Sequence, residues 1–336
     1  MPTNATPEYK EAEAAYRAAS DPKERLACLR EMHRTIPKHK GTEHVRADIK
    51  TRIKELTEQL ASGRSGGART GPATVVRPEG AAQIALVGPP NGGKSALHAR
   101  LTGSHTEVGP YPFATQWPAP GMLEVDDVAL QLVDLPSVSP DHPIPWIGDA
   151  LRPADGALVV VDLTRPGCVE EVAAMLEVLA DRHVVLHGTW PADDGFVPSD
   201  DPFTTAIPAL LAAGKADLLE DPAAELAIVE ELLDLDWPTT ILSVESGVGL
   251  DDLGPWLFRR VGVVRVYTKT PGSDPDMGRP FTVRSGDTVL DVARLVHKDL
   301  AEGFRHARIW GPATFDGQQV GRDHPVVDGD VVEIHA

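Results

Sequence analysis

The residues best suited to chemistry are 88–95, which read Gly-Pro-Pro-Asn-Gly-Gly-Lys-Ser and follow an apolar run at 84–87. They match the phosphate-binding pattern G-x-x-x-x-G-K-[S/T] at every defined position, in the strand–loop–helix setting that the pattern needs. Glycines let the backbone approach phosphate oxygens, and the N–H groups of the loop and of the following helix supply positive potential. A glycine-rich turn that carries a lysine by chance is the alternative, and the flanking patterns disfavour it. The sequence therefore predicts a site for a nucleoside triphosphate.

Each residue type in this loop has its own expected role. The Lys94 amine would reach the β- and γ-phosphates, and the Ser95 hydroxyl would bind Mg²⁺. The nucleotide contacts are expected from the whole loop and from the first helical residues after it: Gly88, Pro89, Pro90, Asn91, Gly92, Gly93, Lys94, Ser95 and Ala96.

Two oxygen-bearing side chains further along the chain extend the predicted metal site. Asp134 ends an apolar run 40 residues after Lys94, where a phosphate-loop protein places the carboxylate of the Mg²⁺ shell. Thr115 follows Tyr-Pro-Phe-Ala after the first helix, where a threonine in a mobile loop can bind Mg²⁺ and the γ-phosphate. Either feature alone is ordinary. In this order they predict a Mg²⁺ site made by Ser95, Thr115 and Asp134.

Alternating strand and helix patterns indicate the fold that would position these residues. Strand-like runs occur at 83–87, 122–125, 128–134, 156–162, 183–187, 207–212 and 239–243. Helical patterns occur at 94–102, 168–181, 222–234 and 249–260. Such alternation predicts an α/β fold with a doubly wound, mostly parallel sheet and ligands at the carboxyl ends of its strands. The acidic, proline-rich segment 188–206 predicts an exposed loop.

Changes in composition divide the chain into four predicted parts. They are a basic helical arm at 1–62, a flexible Gly/Ser/Arg-rich linker at 63–80, the phosphate-loop domain at 81–262 and a small α+β module at 263–336. Helical patterns predict two helical pieces within 8–34 and a further helix from 42 to about 61, which together suggest a helical hairpin with a basic outer face. In the module, the patterns predict a helix at 288–299 capped by Asp287.

Charge is unevenly distributed along the chain. The net charge is −18, yet residues 23–54 contain 10 Lys or Arg and only 4 Asp or Glu. The overall acidity disfavours general nucleic-acid affinity, whereas the arm offers a local basic face. That face is either a solvated charged surface or a surface that faces RNA. In the second case the acidic rest of the protein would repel phosphates and orient the arm toward them.

Two further observations bear on the cellular setting. The two cysteines, Cys28 and Cys168, lie far apart in the sequence and suggest no disulfide framework. No apolar run approaches the roughly 20 residues of a membrane span, and the first residues lack a signal-peptide pattern. A cytoplasmic protein without a membrane partner is expected, and the sequence does not indicate an oligomeric state.

Four separated motifs together resemble the Obg/DRG group of GTPases, the Obg-like and developmentally regulated GTP-binding proteins. The phosphate loop reads PNGGKS, the next loop YPFAT, and the strand ending at Asp134 continues as VDLP. The stretch from RVYTKTPG through FTVRSGDTVLDVA to DGDVVEIH resembles the TGS domain of that group, a ubiquitin-like β-grasp module. The resemblance covers the chain from about residue 35 onward.

This resemblance implies a guanine-nucleotide switch that binds GTP and GDP. It also implies association with the ribosome or RNA through the basic arm and the TGS domain. Asn91 matches the loop residue that helps bind a monovalent cation, so K⁺ is an expected cofactor beside Mg²⁺. The implied catalytic set is Lys94, Thr115 and Asn91.

The motif that begins at Asp134 departs from the common GTPase pattern. D-x-x-G reads Asp134-Leu-Pro-Ser137, so a Cβ restricts the hinge at which glycine lets the loop flip. Val138 takes the position where many GTPases keep a catalytic glutamine, and this group uses a hydrophobic residue there. No side chain at that position would orient the attacking water. Slow intrinsic hydrolysis is therefore expected.

The base-recognition motifs are also incomplete. N-K-x-D reads Gly214-Lys215-Ala-Asp217, and the final S-A-x motif reads Ser243-Val244-Glu. Asp217 can still accept from guanine, and the Lys215 stem can stack on the base. The missing asparagine removes a hydrogen-bonding group worth roughly 1–3 kcal/mol, so a weakened guanine preference is expected.

Three hypotheses follow from these features. The first is a Mg²⁺-dependent GTPase switch that hydrolyses GTP slowly and acts on the ribosome or RNA. The second is a nucleotide-binding adaptor, a pseudo-GTPase, with little or no hydrolysis. The third is an RNA-binding protein whose nucleotide site is vestigial. The C-terminal module remains open to RNA, protein or a small regulatory nucleotide as its ligand.

Overall fold

The computed structural model describes residues 6–19, 21–37, 42–62, 73–104, 115–193, 196, 201 and 203–336. The chain forms two compact units, one of residues 1–73 with 198–205 and one of residues 74–197 with 206–336. Most of the predicted linker and residues 111–114 of the YPFAT motif lie outside the described residues. The predicted four-part division stays a prediction.

Three helices make up the N-terminal unit: α1 (Pro7–Ala18), α2 (Pro22–Thr35) and α3 (Glu43–Ser62). Both α1 and α2 start at a side-chain cap, Thr6 and Asp21 respectively, followed by proline in the first turn. Such caps satisfy backbone N–H groups that have no partner within the helix. The two helical pieces predicted within 8–34 and the further helix predicted from 42 correspond to α1, α2 and α3, which pack together around a core of their own.

The core of this unit is aromatic and aliphatic. Tyr9, Tyr16, Met32 and Ile49 are buried in it, and Phe203 joins them from far along the sequence. The rings of Tyr16 and Phe203 meet edge to face, with centroids 6.2 Å apart, a favoured aromatic arrangement. The segment around Phe203 is therefore part of the helical unit.

Part of the predicted basic face is used inside the unit. Arg25 is buried and donates to the Tyr16 hydroxyl at 2.8 Å. The Arg52 guanidinium lies 4.5 Å from the centroid of the Phe203 ring. Lys50 and Lys54 are exposed on α3. The basic surface is thus narrower than the count of charges in the sequence suggested.

A seven-stranded sheet forms the centre of the second unit. Its strands are β1 (Gln83–Val87), β2 (Ala119–Val125), β3 (Val128–Asp134), β4 (Gly156–Asp162), β5 (Val184–His187), β6 (Thr205–Gly214) and β7 (Thr239–Ile241). Their order is β2-β3-β1-β4-β6-β5, and β7 also pairs with β6. β3, β1, β4, β6 and β7 run parallel, whereas β2 is antiparallel to β3. The predicted mostly parallel sheet is confirmed.

Helices cover both faces of this sheet. They are α4 (Lys94–Thr102), α5 (Ile147–Leu151), α6 (Cys168–Asp181), α7 (Pro222–Leu233) and α8 (Leu250–Arg260). Ala85 and Val87 of β1 join the core beneath α5, α6 and α7, whereas Ile84 and Leu86 join the core beneath α4 and α8. This alternation makes the fold doubly wound. No helix in the described part of the chain is both long and apolar enough to cross a membrane.

The segment 188–206 is not simply the exposed loop that its composition predicted. Trp190 is fully buried, and its indole N–H donates to the carbonyl of Ala209 at 3.2 Å. Its ring meets Trp256 edge to face. A Cβ at Gly156 would lie 2.6 Å from the Trp190 ring, so the indole fills space that glycine leaves at the start of β4. The many acidic and proline residues around Trp190 in the sequence predicted an exposed loop, so the burial of Trp190 was not predicted.

The C-terminal module has its own five-stranded sheet. Its elements are β8 (Val263–Thr268), β9 (Asp276–Arg284), α9 (Val289–Val296), α10 (Lys298–Glu302), β10 (His306–Trp310), β11 (Gln318–Val320) and β12 (Asp330–His335). The strand order is β11-β10-β12-β8-β9, with β12 parallel to β8. Val292 of α9 and Val332 of β12 lie in its core. This arrangement fits the predicted β-grasp fold.

The helix predicted at 288–299 differs in two details. It ends at Val296, and His297 caps a second short helix by accepting from the N–H of Asp299. The N-cap of α9 is Thr288, which forms a capping box with Asp291, and not Asp287. Asp287 instead accepts from the N–H of Arg284.

Charged contacts join the module to the seven-stranded sheet. Arg265 of β8 donates to Asp127, in the turn between β2 and β3, at 3.0 Å and to Asp328 at 2.8 Å. The Tyr267 hydroxyl also donates to Asp127. Burial alone would raise the pKa of Asp127, but the hydrogen bonds from Tyr267 and Arg265 outweigh it and lower the pKa. The pKa of Asp328 is lowered too, because Arg265 outweighs its burial.

Candidate functional site

The phosphate-binding loop connects the carboxyl end of β1, an inner strand of the sheet, to α4. A Cβ at Gly88 would lie 2.4 Å from the carbonyl oxygen of Val160, and a Cβ at Gly92 would lie 2.7 Å from the same oxygen. Both distances are shorter than any real contact of a Cβ, so the loop packs directly on the backbone of β4. Glycine at these two positions is therefore a structural requirement of the packing between the loop and β4.

Lys94 is held inside this loop by three oxygens. It is 5% exposed, and its amine donates to the carbonyls of Gly88 at 3.0 Å and Pro89 at 2.9 Å. The third partner is the Ser137 hydroxyl at 3.0 Å. Burial lowers the pKa of Lys94 to about 8, against an opposing effect of the Asp134 charge. A bound phosphate would favour the charged amine, because an adjacent anion stabilises a cation.

Ser95, Thr115 and Asp134 converge beside Lys94. The Ser95 hydroxyl donates to Asp134 Oδ2 at 2.6 Å, the Thr115 hydroxyl approaches the same oxygen at 3.2 Å, and the two hydroxyls lie 3.0 Å apart. Asp134 is fully buried, and burial raises its pKa despite the opposing hydrogen bonds and the nearby Lys94 charge. Three residues that the sequence placed in one metal site are thus within hydrogen-bond distance of one another.

This cluster fits a Mg²⁺ ion. Mg²⁺ prefers hard oxygen ligands such as carboxylates, with water and phosphate oxygens completing its shell. Asp134 Oδ1 is buried and has no hydrogen-bond partner among the described residues. A buried carboxylate oxygen without a donor is costly, and a cation would satisfy it. Ser95 and Asp134, with Thr115, are the residues that would hold the ion.

A cavity of about 280 Å³ lies next to the phosphate loop. It opens toward the predicted base-recognition segment, so the phosphate and base halves of the site are continuous. Residues that line it include Gly92, Gly93, Ala96, Lys215, Asp217 and Val244. These six all belong to the predicted nucleotide-binding set.

Ser243 contacts one of the residues that line this cavity. It is fully buried, and its hydroxyl donates to Asp217 Oδ1 at 2.5 Å while accepting from the N–H of Ser246 at 3.0 Å. The bond fixes the Asp217 carboxylate at the cavity wall. Ser243 therefore orients the Asp217 carboxylate, an acceptor in the cavity wall, whereas Val244 lines the cavity itself.

Two other predicted residues lie in contrasting places. Asn91 is exposed at the tip of the loop with φ of +60°, a conformation that asparagine tolerates better than most residues. Val138 is buried in the core beneath α5 and α6, and its N–H donates to the Gly88 carbonyl at 3.2 Å. The side chain at the usual glutamine position is therefore buried.

Two residues near the site were missed from the sequence. Asp162 ends β4, is buried, and accepts from the Lys215 amine at 2.6 Å. Arg165, three residues later, donates to the carbonyl of Pro90 in the phosphate loop. Asp162 ends a parallel strand just as Asp134 does, and the carboxyl ends of parallel strands meet at one edge of a sheet. That signal would have found it.

Comparison with known proteins identifies two matching families along the chain. Residues 83–187 match the family model described as 50S ribosome-binding GTPase, and residues 264–336 match the TGS domain. The chain is a GTPase-family protein with a C-terminal TGS domain. The GTPase match ends before Lys215 and Asp217, so the base-recognition segment rests on the geometry above.

Relatives of this TGS-domain GTPase span nearly its whole length. It is 28% identical to an uncharacterized GTP-binding protein of Methanocaldococcus jannaschii, over 93% of this chain and 92% of that protein. It is also 28% identical to developmentally-regulated G-protein 1 of Arabidopsis thaliana, over 90% and 88%. Ribosome-interacting GTPase 1 of Saccharomyces cerevisiae is 27% identical, over 90% and 96%. The resemblance to DRG-type GTPases is confirmed.

Proposed function

We propose that this protein is a Mg²⁺-dependent switch that binds GTP and GDP, hydrolyses GTP slowly and acts on the ribosome or RNA. One observation carries the proposal: Lys94, the cluster of Ser95, Thr115 and Asp134, and the cavity at Asp217 form one continuous site. Groups suited to phosphate and metal lie at one end of this site and an acceptor suited to the base at the other, as the layout of a Mg²⁺-bound nucleoside triphosphate requires.

Each group has a defined part in nucleotide binding. Lys94 places a positive charge beside the β- and γ-phosphates, and Asp217 accepts from the guanine edge. Ser95, Thr115 and Asp134 would hold a Mg²⁺ ion, which would neutralise the charge that builds up on the phosphate oxygens. The position of Thr115 would then depend on the γ-phosphate and its ion, which is how a switch residue senses its nucleotide.

Slow hydrolysis follows from the surroundings of the γ-phosphate position. The side chain of Val138 is buried and apolar, so it neither orients a water molecule nor accepts its proton. Positioning and electrostatics remain the means of catalysis in phosphoryl transfer. Asn91, exposed on the loop tip, would add a K⁺ ion to that electrostatic contribution.

Single-turnover hydrolysis of GTP tests the enzyme proposal. We expect cleavage that requires Mg²⁺, is faster in K⁺ than in Na⁺ buffer, and is lost in Lys94→Ala and Thr115→Ala. Asn91→Ala should remove the difference between K⁺ and Na⁺ while leaving nucleotide binding in place. Equal rates in both salts for the wild-type protein would contradict the K⁺ site but not the Mg²⁺-dependent hydrolysis.

A second candidate function is a nucleotide-binding adaptor with little or no hydrolysis. The bond between Ser137 and Lys94 favours it, because Ser137 stands where the common pattern has a glycine hinge and ties that segment to the phosphate loop. Tight binding of fluorescent mant-GTP without cleavage, even with ribosomes and K⁺ present, would establish the adaptor and exclude the enzyme.

The partner proposal rests on the arm and on the relatives. Lys50 and Lys54 are exposed on α3 and offer positive charge to phosphates. A ribosomal partner would place the protein in the cytoplasm. Co-sedimentation with ribosomes in GTP, GDP, ATP or no nucleotide tests this, with Lys50→Glu/Lys54→Glu expected to lower binding and Lys10→Glu on α1 as the matched control. Binding that is unchanged by Lys94→Ala under every nucleotide condition would favour a vestigial nucleotide site.

A further inference from the structure

The turn that follows β4 lies between the two halves of the nucleotide site. In the sheet, β4 pairs with β1, which leads into the phosphate loop, and with β6, which leads into the base-recognition segment. At the end of β4, Asp162 is in register with Gly214. A short turn here, residues 162–165, is therefore next to both loops at once.

On the base side, the turn holds Lys215 through Asp162. One oxygen of Asp162 accepts from the Lys215 amine at 2.6 Å, and the other accepts from the N–H of Thr164 at 3.0 Å and its hydroxyl at 2.6 Å. The Asp162 side chain is 2% exposed, so water does not compete strongly for it. Lys215 has φ of +61°, a conformation that persists where surrounding contacts fix it.

On the phosphate side, the turn holds the loop through Arg165. Its guanidinium donates to the carbonyl of Pro90 and pairs with Glu171 at 2.7 Å. The N–H of Arg165 donates to the carbonyl of Asp162 at 3.3 Å. The anchors for the two loops are thus three residues apart on one hydrogen-bonded turn.

We propose that Asp162 and Arg165 are positioning residues that hold the base segment and the phosphate loop at a fixed separation. Through Lys215, Asp162 supplies the loop anchor that the absent asparagine at position 214 would otherwise provide, and so it determines preference for the base. Arg165 fixes the phosphate loop and so contributes equally to all triphosphates. The inference rests on the proposed function, since it assigns base recognition to this same site.

Base preference is the readout that separates positioning from general stability. Affinities of mant-GTP and mant-ATP are measured for the wild-type protein, for Asp162→Asn and for Asp181→Asn, an exposed aspartate at the end of α6. Asp162→Asn is expected to reduce the preference for GTP over ATP by about tenfold or more, since the lost bond joins two charged groups. Asp181→Asn is expected to leave the preference unchanged.

Rescue gives a second readout that a purely structural role would not produce. A Cβ at Gly214 would lie 3.3 Å from the Val161 carbonyl oxygen and 3.8 Å from that of Gly92, so an amide there faces the phosphate loop. Adding Gly214→Asn to Asp162→Asn is expected to restore the preference for GTP. Thr164→Val, which removes a hydroxyl donor to Asp162, provides a milder variant should Asp162→Asn fail to fold, and it is expected to shift the preference in the same direction.

Arg165 has a different expected signature. Arg165→Gln should lower the affinities for GTP and ATP by similar factors, roughly tenfold, and leave their ratio unchanged. Glu171→Gln keeps the Arg165 guanidinium but removes the charge that pairs with it. A smaller loss of affinity for both GTP and ATP is therefore expected. Equal affinities of Arg165→Gln and the wild-type protein would overturn the part assigned to Arg165.

The outcomes separate this inference from the proposed function. A wild-type protein with no preference for guanine overturns the proposed function and this inference with it. A preference for GTP that survives both Asp162→Asn and Thr164→Val in folded protein overturns this inference alone, and the proposed function stands.

Discussion

Replacing Asp134 by asparagine should make the protein more stable and less responsive to Mg²⁺ at the same time. Asp134 is fully buried, and its Oδ1 has no partner among the described residues. Burial raises its pKa despite the hydrogen bonds from Ser95 and Thr115, so the ionised carboxylate is disfavoured where it lies. Asparagine keeps the shape and the acceptor for both hydroxyls but removes the buried charge.

The size of the gain follows from the cost of an unpaired buried group. Leaving a buried polar group without a partner costs roughly 1–3 kcal/mol, and more when it is charged. The amide that replaces Oδ1 is still unpaired, so the net gain for Asp134→Asn is about 1–2 kcal/mol. At roughly 2–4 °C per kcal/mol for a unit of this size, Tm without Mg²⁺ should rise by about 2–8 °C.

Thermal unfolding and mant-GTP titration, each with Mg²⁺ and with EDTA, measure the two effects. In the wild-type protein Mg²⁺ should tighten mant-GTP binding by about tenfold or more, and in Asp134→Asn this response should be nearly lost. Ser95→Ala is the matched variant, because it removes a metal-binding hydroxyl and keeps the buried charge. It should lose the Mg²⁺ response without any rise in Tm. A lower Tm for Asp134→Asn, or an intact Mg²⁺ response, would refute the reasoning.

Three further predictions concern other contacts. Ser137→Ala removes one of three acceptors of the buried Lys94 amine and should lower the free energy of unfolding by about 1.5–3 kcal/mol, measured by urea unfolding. Gly214→Asn should raise the preference for mant-GTP over mant-ATP by about tenfold, one added hydrogen-bonding group. Arg265→Ala should lower the free energy of unfolding at pH 7 by about 1–2 kcal/mol, discounted for partial exposure, and flatten its dependence on pH below 5, because Arg265 lowers the pKa of Asp328 and, after Tyr267, that of Asp127.

Two of these predictions have a matched control variant, and the third has an outcome that would contradict it. Ser139→Ala, the control for Ser137→Ala, removes a hydroxyl that accepts within a turn. It should change the free energy of unfolding by less than about 0.5 kcal/mol. An equal loss of stability in Ser137→Ala and Ser139→Ala would contradict the importance of the Lys94 contact. For Gly214→Asn, weaker binding of both nucleotides would mean that the new side chain pushes β4 and β6 apart. Arg322→Ala, at an exposed arginine in the module, should keep the wild-type pH profile.

The sign of the pH effect follows from the direction of the pKa shifts. Asp127 and Asp328 have lowered pKa values in the folded chain. Their contribution to stability is therefore complete above the unfolded pKa, near 4, and is lost as the pH falls through the lower folded values. Arg265→Ala removes the main partner of Asp328 and, after Tyr267, the second partner of Asp127, so less stability remains to be lost on acidification.

The fold was largely predictable because its strands and helices carry strong apolar patterns. The bounds of α4, α6 and β4 agree with the predicted segments to the residue. Trp190 was misplaced because it lies among prolines and aspartates, and only the space above Gly156 shows why it is buried. Local composition says little about a side chain whose partner is far away in sequence.

The site was predictable where residues act within one motif or in a known order. Lys94 and Ser95 come from one loop, and Asp134 follows from its place at the end of a strand. The contacts of Ser137 with Lys94 and of Asp162 with Lys215 were not predictable, since they join residues 43 and 53 positions apart. They depend on which parallel strands are neighbours and in what register, which local patterns do not specify.

The most direct test of the account is the affinity of the wild-type protein for mant-GTP and mant-ATP in Mg²⁺ buffer, with Lys94→Ala in parallel. The continuous site from Lys94 to Asp217 predicts saturable binding of both nucleotides, tighter for mant-GTP, and a large loss of both in Lys94→Ala. Equal affinity for the two bases would contradict the role of Asp217. Binding that is unaffected by Lys94→Ala would contradict the phosphate site itself.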